Sequence, residues 1–216
     1  MKEIFKVKGV IFDLDGTLID SYQAIYLSFK YAYENMGLPP LPYEVAKKVV
    51  GRGLGHTFQE LLGAQRTPRA LSLFREKYEE VFRTHTHVLP DVPEVLEALH
   101  RRGFQMAVAT NKLGRFSRAI IEHLGMAKFF SVIVGDGDVS QNKPFPEMLY
   151  YALGKMGLSK GDAVFVGDSL IDIQTANNAG LKVLAVSTGN TAREDLEKAR
   201  PTVLLNRLPD LLAYVS

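Results

Sequence analysis

The sequence predicts an α/β fold, a doubly wound parallel sheet with an inserted all-helical cap domain. From Leu89-Pro90 onward, apolar strand-like segments alternate with helix-like segments, and the connections between them are short. This alternation is typical of a parallel, Rossmann-like sheet with helices on both faces. Residues 22–84 are instead helical in pattern, with few strand-like runs. We therefore expect a core formed by residues 1–19 and 87–216, and a helical cap at 20–86.

The chain opens with Val7 to Phe12, a short apolar run rich in Val, Ile and Phe that predicts a buried strand. Apolar residues at helical spacing then predict helices in four segments, "SYQAIYLSFKYAYENMG", "YEVAKKVVG", "HTFQELLG" and "TPRALSLFREKYEEVFRTH". The first of them ends at Gly37, and "LPPLP" breaks the chain after it. The pair Thr67-Pro68 fits an N-cap followed by proline at the first helical position.

The second half of the chain supplies the remaining strands and helices of the predicted core. The predicted strands are "FQMAVAT", "FSVIVGD", "DAVFVGDS", "LKVLAVS" and "TVLL". The predicted helices are "VPEVLEALHRRG", "LGRFSRAIIEHLG", "FPEMLYYALGKMG", "LIDIQTANNAG" and "TAREDLEKAR".

Composition excludes several classes of function. The 216 residues are 46% hydrophobic and 23% charged, with a net charge of +2, as expected of a soluble globular protein. No run is basic enough to predict a nucleic-acid or membrane partner. The absence of cysteine excludes a thiolate nucleophile and a disulfide framework. Without an apolar leader or spanning segment, the expected location is the cytoplasm.

Polar residues cluster where the predicted strands end, which is where ligands bind in open parallel sheets. They are Asp13, Asp15, Thr110, Asn111, Lys143, Asp168 and Asp172. Several carboxylates in one pocket repel each other, and a divalent cation such as Mg²⁺ relieves that repulsion. Lys143 and the Thr110 hydroxyl suit an anion beside the cation. The pattern therefore predicts a phosphate pocket with Mg²⁺.

The same residues resemble a known family. "DLDGT" at 13–17, Thr110-Asn111, Lys143-Pro144 and "GDSLID" at 167–172 resemble, in order and rough spacing, the four motifs of the haloacid dehalogenase superfamily. The resemblance covers essentially the whole chain, and the helical segment is similar to the cap of one subclass. "KPFPEML" and "GDSLIDIQTANNAG" resemble the phosphoglycolate phosphatase group. The implied activity is a Mg²⁺-dependent phosphatase acting on a small phosphorylated metabolite, with 2-phosphoglycolate favoured.

The resemblance also implies roles for individual residues. Asp13 corresponds to the nucleophile that forms an aspartyl-phosphate, and Asp15 to the general acid and base. Asp168 would bind the metal together with Asp13 and the backbone carbonyl of Asp15, while Asp172 would be a ligand or act through water. The residues expected to hold phosphoryl oxygens are Thr110, Asn111 and Lys143.

A glycine-rich segment in the predicted cap, "GRGLGHTFQELLG", carries a further candidate. Caps in this family carry loops that select the substrate, so Arg52 is a candidate partner for a substrate carboxylate. The alternative is a plain turn between two helices that leaves Arg52 exposed.

Other activities stay open. A phosphomutase similar to β-phosphoglucomutase is disfavoured because Gly167-Asp168 and Thr110-Asn111 depart from its usual motifs. A haloacid dehalogenase proper lacks the second acid, which is Asp15 here. A pyrophosphatase of the same fold and a receiver-like signalling protein, phosphorylated without turnover, are the remaining alternatives. The sequence leaves a monomer and a dimer equally open.

Overall fold

The computed structural model describes residues 4–216, so the first three residues of the predicted core lie outside the described part. The strands are β1 (Gly9–Phe12), β2 (Ile19–Asp20), β3 (His87–Val88), β4 (Gln105–Leu113), β5 (Val132–Asp136), β6 (Ala163–Gly167), β7 (Lys182–Val186) and β8 (Val203–Leu205). The helices are α1 (Tyr22–Asn35), α2 (Tyr43–Lys48), α3 (Leu54–Leu62), α4 (Thr67–Val81), α5 (Val92–Arg101), α6 (Gly114–His123), α7 (Glu147–Met156), α8 (Leu170–Ala179) and α9 (Arg193–Lys198). Short 3₁₀ helices lie at Ala127–Phe129, Lys160–Asp162 and Leu208–Ala213.

Six strands form one parallel sheet in the order β5-β4-β1-β6-β7-β8. All four residues of β1 are buried, as expected for the central strand of a sheet covered on both faces. Ile11 packs with α7 and α8 on one face, while Val10 and Phe12 belong to the apolar cluster on the other. The predicted doubly wound α/β core is therefore confirmed.

Helices α1 to α4 lie between β2 and β3, which pair as a small antiparallel ribbon. The interior of this helical segment is aromatic. The ring of Phe29 lies 5.0 Å from the rings of both Phe58 and Phe74. Tyr78 extends the cluster to the core, where its ring meets Phe116 of α6 at 4.8 Å. The division into a core and a cap at residues 20–86 stays a prediction, and the ribbon lies where the chain enters and leaves these helices.

Two local predictions were wrong, and one small element was not predicted. Helix α4 begins at Thr67 itself, and its N-cap Arg66 makes no side-chain capping hydrogen bond. The Thr67 hydroxyl instead donates to the Gly63 carbonyl at 2.9 Å, one turn back. The first strand is shorter than predicted, and the β2–β3 ribbon was not predicted at all because two residues give no periodic signal.

No helix within residues 4–216 has both the length and the apolar character to cross a membrane.

Candidate active site

The carboxyl ends of the three central strands bring the predicted site residues together. Asp13 follows β1, Thr110 and Asn111 lie in β4, and Asp168 follows β6. Because β1 pairs with both β4 and β6 in parallel, these ends lie side by side. All seven strand-end residues predicted from the sequence are buried. Burial of so many polar groups requires compensating partners.

Lys143 is the first of these partners. Its Nζ lies 2.7 Å from Asp13 Oδ1 and 2.7 Å from Asp172 Oδ1, and its side chain is 2% exposed. Burial lowers the pKa of Lys143, but the two acids outweigh that effect and hold the ammonium charged. Burial raises the pKa of Asp13 to about 7, against the lowering effect of Lys143 and with a further increase from Asp172. One lysine therefore does not neutralise the whole cluster.

Three carboxylates, those of Asp13, Asp168 and Asp172, each offer an oxygen within 4.8 Å of the others. Burial and the charges of Asp172 and Asp13 raise the pKa of Asp168 well above its usual range. The Thr17 hydroxyl donates to Asp168 Oδ1 at 2.6 Å, leaving Oδ2 without a described hydrogen-bond partner. Buried oxygen donors with excess negative charge are the ligands that a hard divalent cation prefers, so these residues fit Mg²⁺.

Three glycines hold the backbone close to these carboxylates. A Cβ on Gly16, which has φ +87°, would lie 2.5 Å from Asp168 Oδ2, and one on Gly189 would overlap the same carboxylate. A Cβ on Gly167 would lie 2.5 Å from the Asp172 side chain. Any side chain at these positions would displace the acids that the cation needs.

Asp172 forms a capping box at the start of α8. Its Oδ2 accepts hydrogen bonds from the Ser169 amide at 3.0 Å and the Ser169 hydroxyl at 2.6 Å. Its Oδ1 accepts from Lys143. Both oxygens of Asp172 are thus engaged, and its predicted role, as a metal ligand or through water, stays a prediction.

Asp15 has separate partners. Lys112 Nζ lies 2.9 Å from Asp15 Oδ2, and the Ser21 hydroxyl donates to Asp15 Oδ1. Burial lowers the pKa of Lys112, but this effect is outweighed by others, of which the charge of Asp15 is the largest. The pKa of Lys112 is therefore raised. The Lys112 ammonium also lies 5.0 Å from the centre of the Tyr78 ring. Sequence reasoning missed Lys112, although it directly follows the Thr110-Asn111 pair.

Asn111 connects three segments through its side-chain amide. Its Nδ2 donates to the Gly51 carbonyl at 2.8 Å and to the Lys143 carbonyl at 3.0 Å, while Oδ1 accepts from the Lys143 amide at 2.8 Å. The amide group is therefore fully used in joining loops. Thr110 differs, because its hydroxyl oxygen accepts from the Lys112 amide at 3.3 Å and its hydrogen stays available for an anion.

Two open spaces share Asp13, Asp15, Val50 and Gly51 among their lining residues. The first, which we call the apolar cavity, lies between the cap helices and α6 and is lined by Ile25, Phe29, Leu54, Phe74, Arg75, Tyr78, Lys112 and Phe116, among others. The second, the polar cleft, is lined by Tyr22, Lys48, Arg52, His56, Lys143, Asp168 and Asn190, among others. Arg52 thus faces the site from the cap, where it is about half exposed and lies 3.5 Å from Glu60 Oε2.

A loop after β7 closes the site on one side, and the sequence analysis did not identify it. The Thr188 hydroxyl donates to the Gly16 carbonyl at 2.6 Å. Gly189 lies against Asp168, and Asn190 donates from Nδ2 to the Lys47 carbonyl of the cap. A usable signal existed, since "STGNT" follows a buried strand just as the other site residues do.

Comparison with known proteins identifies the family of this arrangement. The profile of the haloacid dehalogenase-like hydrolases matches residues 10–186. The chain belongs to this family. It is 32% identical over 222 residues to the phosphoglycolate phosphatase of Pectobacterium atrosepticum, covering 100% of this chain and 95% of that protein. It is also 32% identical over 212 residues to phosphoglycolate phosphatase 1 of Pseudomonas aeruginosa, covering 94% of this chain and 78% of that protein.

Solved structures agree with this assignment. A predicted phosphatase from Clostridium acetobutylicum superposes with a TM-score of 0.87 at 27% identity, covering 97% of each chain. The predictions of the superfamily, the α/β fold and a phosphatase-type hydrolase are thus confirmed. The roles of the individual site residues stay predictions.

Proposed function

We propose that this chain is a Mg²⁺-dependent phosphatase that hydrolyses a small phosphate monoester through an aspartyl-phosphate on Asp13, with 2-phosphoglycolate as the favoured substrate. The observation that carries the proposal is the separation of two buried acids by their partners. Asp13 shares Lys143 with Asp172, while Asp15 is bound to Lys112 and Ser21. Two carboxylates in different environments suit two different roles.

In the first step, Asp13 attacks phosphorus and the bond from phosphorus to the alcohol oxygen breaks. Asp15 donates its proton to that oxygen, and the alcohol leaves. In the second step, Asp15 takes a proton from water, the water oxygen bonds to phosphorus, and the bond to Asp13 breaks to release phosphate. Lys143 and the Thr110 hydroxyl neutralise and orient the phosphoryl oxygens, which supplies most of what this reaction needs.

The proposed metal ligands are Asp13, Asp168 and the backbone carbonyl of Asp15, with Asp172 holding Lys143 in position. When bound, Mg²⁺ supplies positive charge that offsets the negative charge on the carboxylates and the phosphoryl group. The fit rests on the buried carboxylate cluster and on the glycines packed around it.

The preference for 2-phosphoglycolate rests on the two bacterial relatives named phosphoglycolate phosphatase. A substrate with a carboxylate needs a cationic partner beyond those that hold phosphate, and Arg52 is the candidate taken from the sequence. The same proposal includes a small phosphorylated metabolite as the partner, with no nucleic acid or membrane partner. It also includes a cytoplasmic location.

The test is phosphate release from phosphoglycolate, sugar phosphates, nucleoside monophosphates and pyrophosphate, with Mg²⁺ and with a chelator. We expect Mg²⁺-dependent release that disappears in Asp13→Asn and is retained in Asp162→Asn, a matched control on the surface. Release from pyrophosphate alone would favour the pyrophosphatase. Interconversion of sugar phosphates without net release would favour the phosphomutase, and a stable aspartyl-phosphate without turnover would favour the receiver-like protein.

A further inference from the structure

The hydroxyl of Tyr78 is a buried polar group without a defined partner. Tyr78 lies on α4 and is 2% exposed, and its hydroxyl oxygen makes no hydrogen bond of acceptable geometry within residues 4–216. Burial raises the pKa of Tyr78, and Lys112 and Ser21 are close enough to oppose that rise. The Lys112 ammonium can only donate, and the Ser21 hydroxyl, which donates to Asp15, does not form a hydrogen bond with Tyr78. A buried donor that the protein itself does not satisfy is uncommon and indicates an external acceptor.

Arg75 lies three residues before Tyr78 on the same helix, so both side chains project from one face of α4. Arg75 and Tyr78 both line the apolar cavity, together with Asp15 and Lys112. The Arg75 guanidinium makes no hydrogen bond or ion pair with any other residue in the described range 4–216. Besides Lys112, which is paired with Asp15, the cavity thus presents the buried Tyr78 hydroxyl beside apolar walls that include Phe29, Phe74 and Phe116, and the Arg75 guanidinium on its exposed side.

The position of these donors relative to Asp15 defines what they could bind. Asp15 is proposed to protonate the ester oxygen of the substrate, and the apolar cavity begins at Asp15. In a carboxymethyl leaving group, as in glycolate, the carboxylate carbon is only two bonds from that oxygen. It would therefore enter the near end of the cavity, where Tyr78 and Lys112 lie. A carboxylate in apolar surroundings requires hydrogen-bond donors and a countercharge.

We propose that Tyr78 and Arg75 form a carboxylate-recognition subsite on α4 that selects phosphate esters whose alcohol carries a carboxylate. This inference rests on the proposed phosphatase function and extends it by assigning specificity to the apolar cavity. The Tyr78 hydroxyl donates to one carboxylate oxygen, and the Arg75 guanidinium supplies the countercharge from the mouth of the cavity. The apolar surroundings of the buried Tyr78 hydroxyl strengthen its hydrogen bond, whereas Arg75 acts from the exposed side of the cavity.

Arg52 is the less suitable residue for this purpose. It lines the polar cleft and not the apolar cavity, and it already lies 3.5 Å from Glu60. A substrate carboxylate at Arg52 would compete with Glu60, whereas one at Arg75 would compete with no described carboxylate.

The test compares two substrates that differ only at the proposed contact. Phosphoglycolate carries the carboxylate, and 2-hydroxyethyl phosphate replaces it with a neutral alcohol. We expect Tyr78→Phe and Arg75→Gln to lower kcat/KM for phosphoglycolate by roughly tenfold or more, mostly through KM, and to change it less than about twofold for 2-hydroxyethyl phosphate. Arg66→Gln, at the N-terminal end of α4 and outside both spaces, is the matched control. Equal losses on both substrates, or no loss on phosphoglycolate, would overturn the subsite.

Tyr78→Phe also has a stability readout. The variant keeps the ring contacts with Phe74, Phe82 and Phe116 and removes only the unsatisfied hydroxyl. We therefore expect its midpoint of chemical denaturation to equal or exceed that of the wild type. A large decrease would mean that the hydroxyl is satisfied within the protein and would overturn the inference.

Calorimetry can measure the binding of both phosphate esters to Asp13→Asn, a variant that is expected not to turn them over. This measurement tests the subsite independently of the proposed phosphatase activity. A preference for phosphoglycolate over 2-hydroxyethyl phosphate of roughly tenfold, lost on adding Tyr78→Phe, supports the subsite even if the wild type releases no phosphate. In that case only the proposed phosphatase function fails. Turnover of phosphoglycolate without any binding preference supports the function and overturns the subsite.

Discussion

The burial of Asp13 makes a specific prediction about how stability depends on pH. In the metal-free protein the pKa of Asp13 is raised by burial to about 7, whereas in the unfolded chain it has its ordinary value of 3.8. Between these values the folded state holds a proton that the unfolded state has lost. Stability contributed by this proton is therefore fully present below pH 3.8 and is lost as pH rises through about 7.

The magnitude follows from the size of the shift. Each pKa unit corresponds to about 1.4 kcal/mol, so raising the pH from 5 to 8 should cost the metal-free protein about 2–3 kcal/mol through Asp13 alone. Asn at position 13 cannot titrate, so Asp13→Asn removes this dependence. The ion pair with Lys143 forms only when Asp13 is ionised, so its loss belongs to the same pH dependence. Asp168 contributes a dependence of the same sign in both proteins, smaller in Asp13→Asn because the Asp13 charge is one cause of the raised Asp168 pKa.

The assay is urea denaturation in a chelator at several pH values from 5 to 8, for wild type and Asp13→Asn. We expect the difference in the free energy of unfolding between the two proteins to change by about 2–3 kcal/mol across this range, with the wild type losing more. Saturating Mg²⁺ should flatten the wild-type curve, because the cation replaces the proton. Parallel curves for the two proteins in chelator would refute the reasoning.

Three further predictions concern the Asp168 contacts and the cap. Thr17→Val removes the 2.6 Å hydrogen bond to Asp168 and should weaken Mg²⁺ binding by roughly tenfold or more, as measured by metal titration of the activity. Gly189→Ala places a methyl group on the Asp168 carboxylate and should lower kcat by on the order of a hundredfold in steady-state assays. Phe58→Ala removes a fully buried ring beside Phe29 and should cost about 3–5 kcal/mol of unfolding free energy in urea denaturation.

Each of these has a matched control in the same chain. Thr175→Val removes a buried hydroxyl that bonds only the Ile171 carbonyl, so the Mg²⁺ affinity should stay unchanged. Gly154→Ala adds a methyl group with no described heavy atom within 4 Å, so kcat should be retained. Phe145 is 49% exposed, and its replacement by Ala should cost far less than that of Phe58. If a variant and its control change the measured quantity equally, the prediction for that contact is wrong.

The residues that could be predicted from the sequence are those whose position follows from a strand end. Asp13, Thr110 and Asp168 follow apolar runs that are unmistakable as buried strands, so the parallel sheet brings them together by topology alone. The pairing of Lys112 with Asp15 and the fully engaged amide of Asn111 could not be predicted, because they depend on side-chain directions across strands. The same limit applies to the N-cap of α4. The local pattern predicts Thr67 as the N-cap, but in the structure its hydroxyl donates to the Gly63 carbonyl instead.

The central position of β1 has a consequence for biosynthesis. Gly9 leaves the ribosome early, yet its sheet partners Gln105 and Ala163 are translated much later, on either side of it. The aromatic interior of the cap is complete once Tyr78 has been made, so the cap can collapse while β1 still lacks both neighbours. Strand β1 is therefore unpaired until β4 is made, and it keeps one open edge beside Asp13 and Asp15 until β6 emerges. A chain released before residue 163 has neither a finished sheet nor Asp168. Truncated products of this chain are thus expected to be inactive and prone to edge-to-edge association.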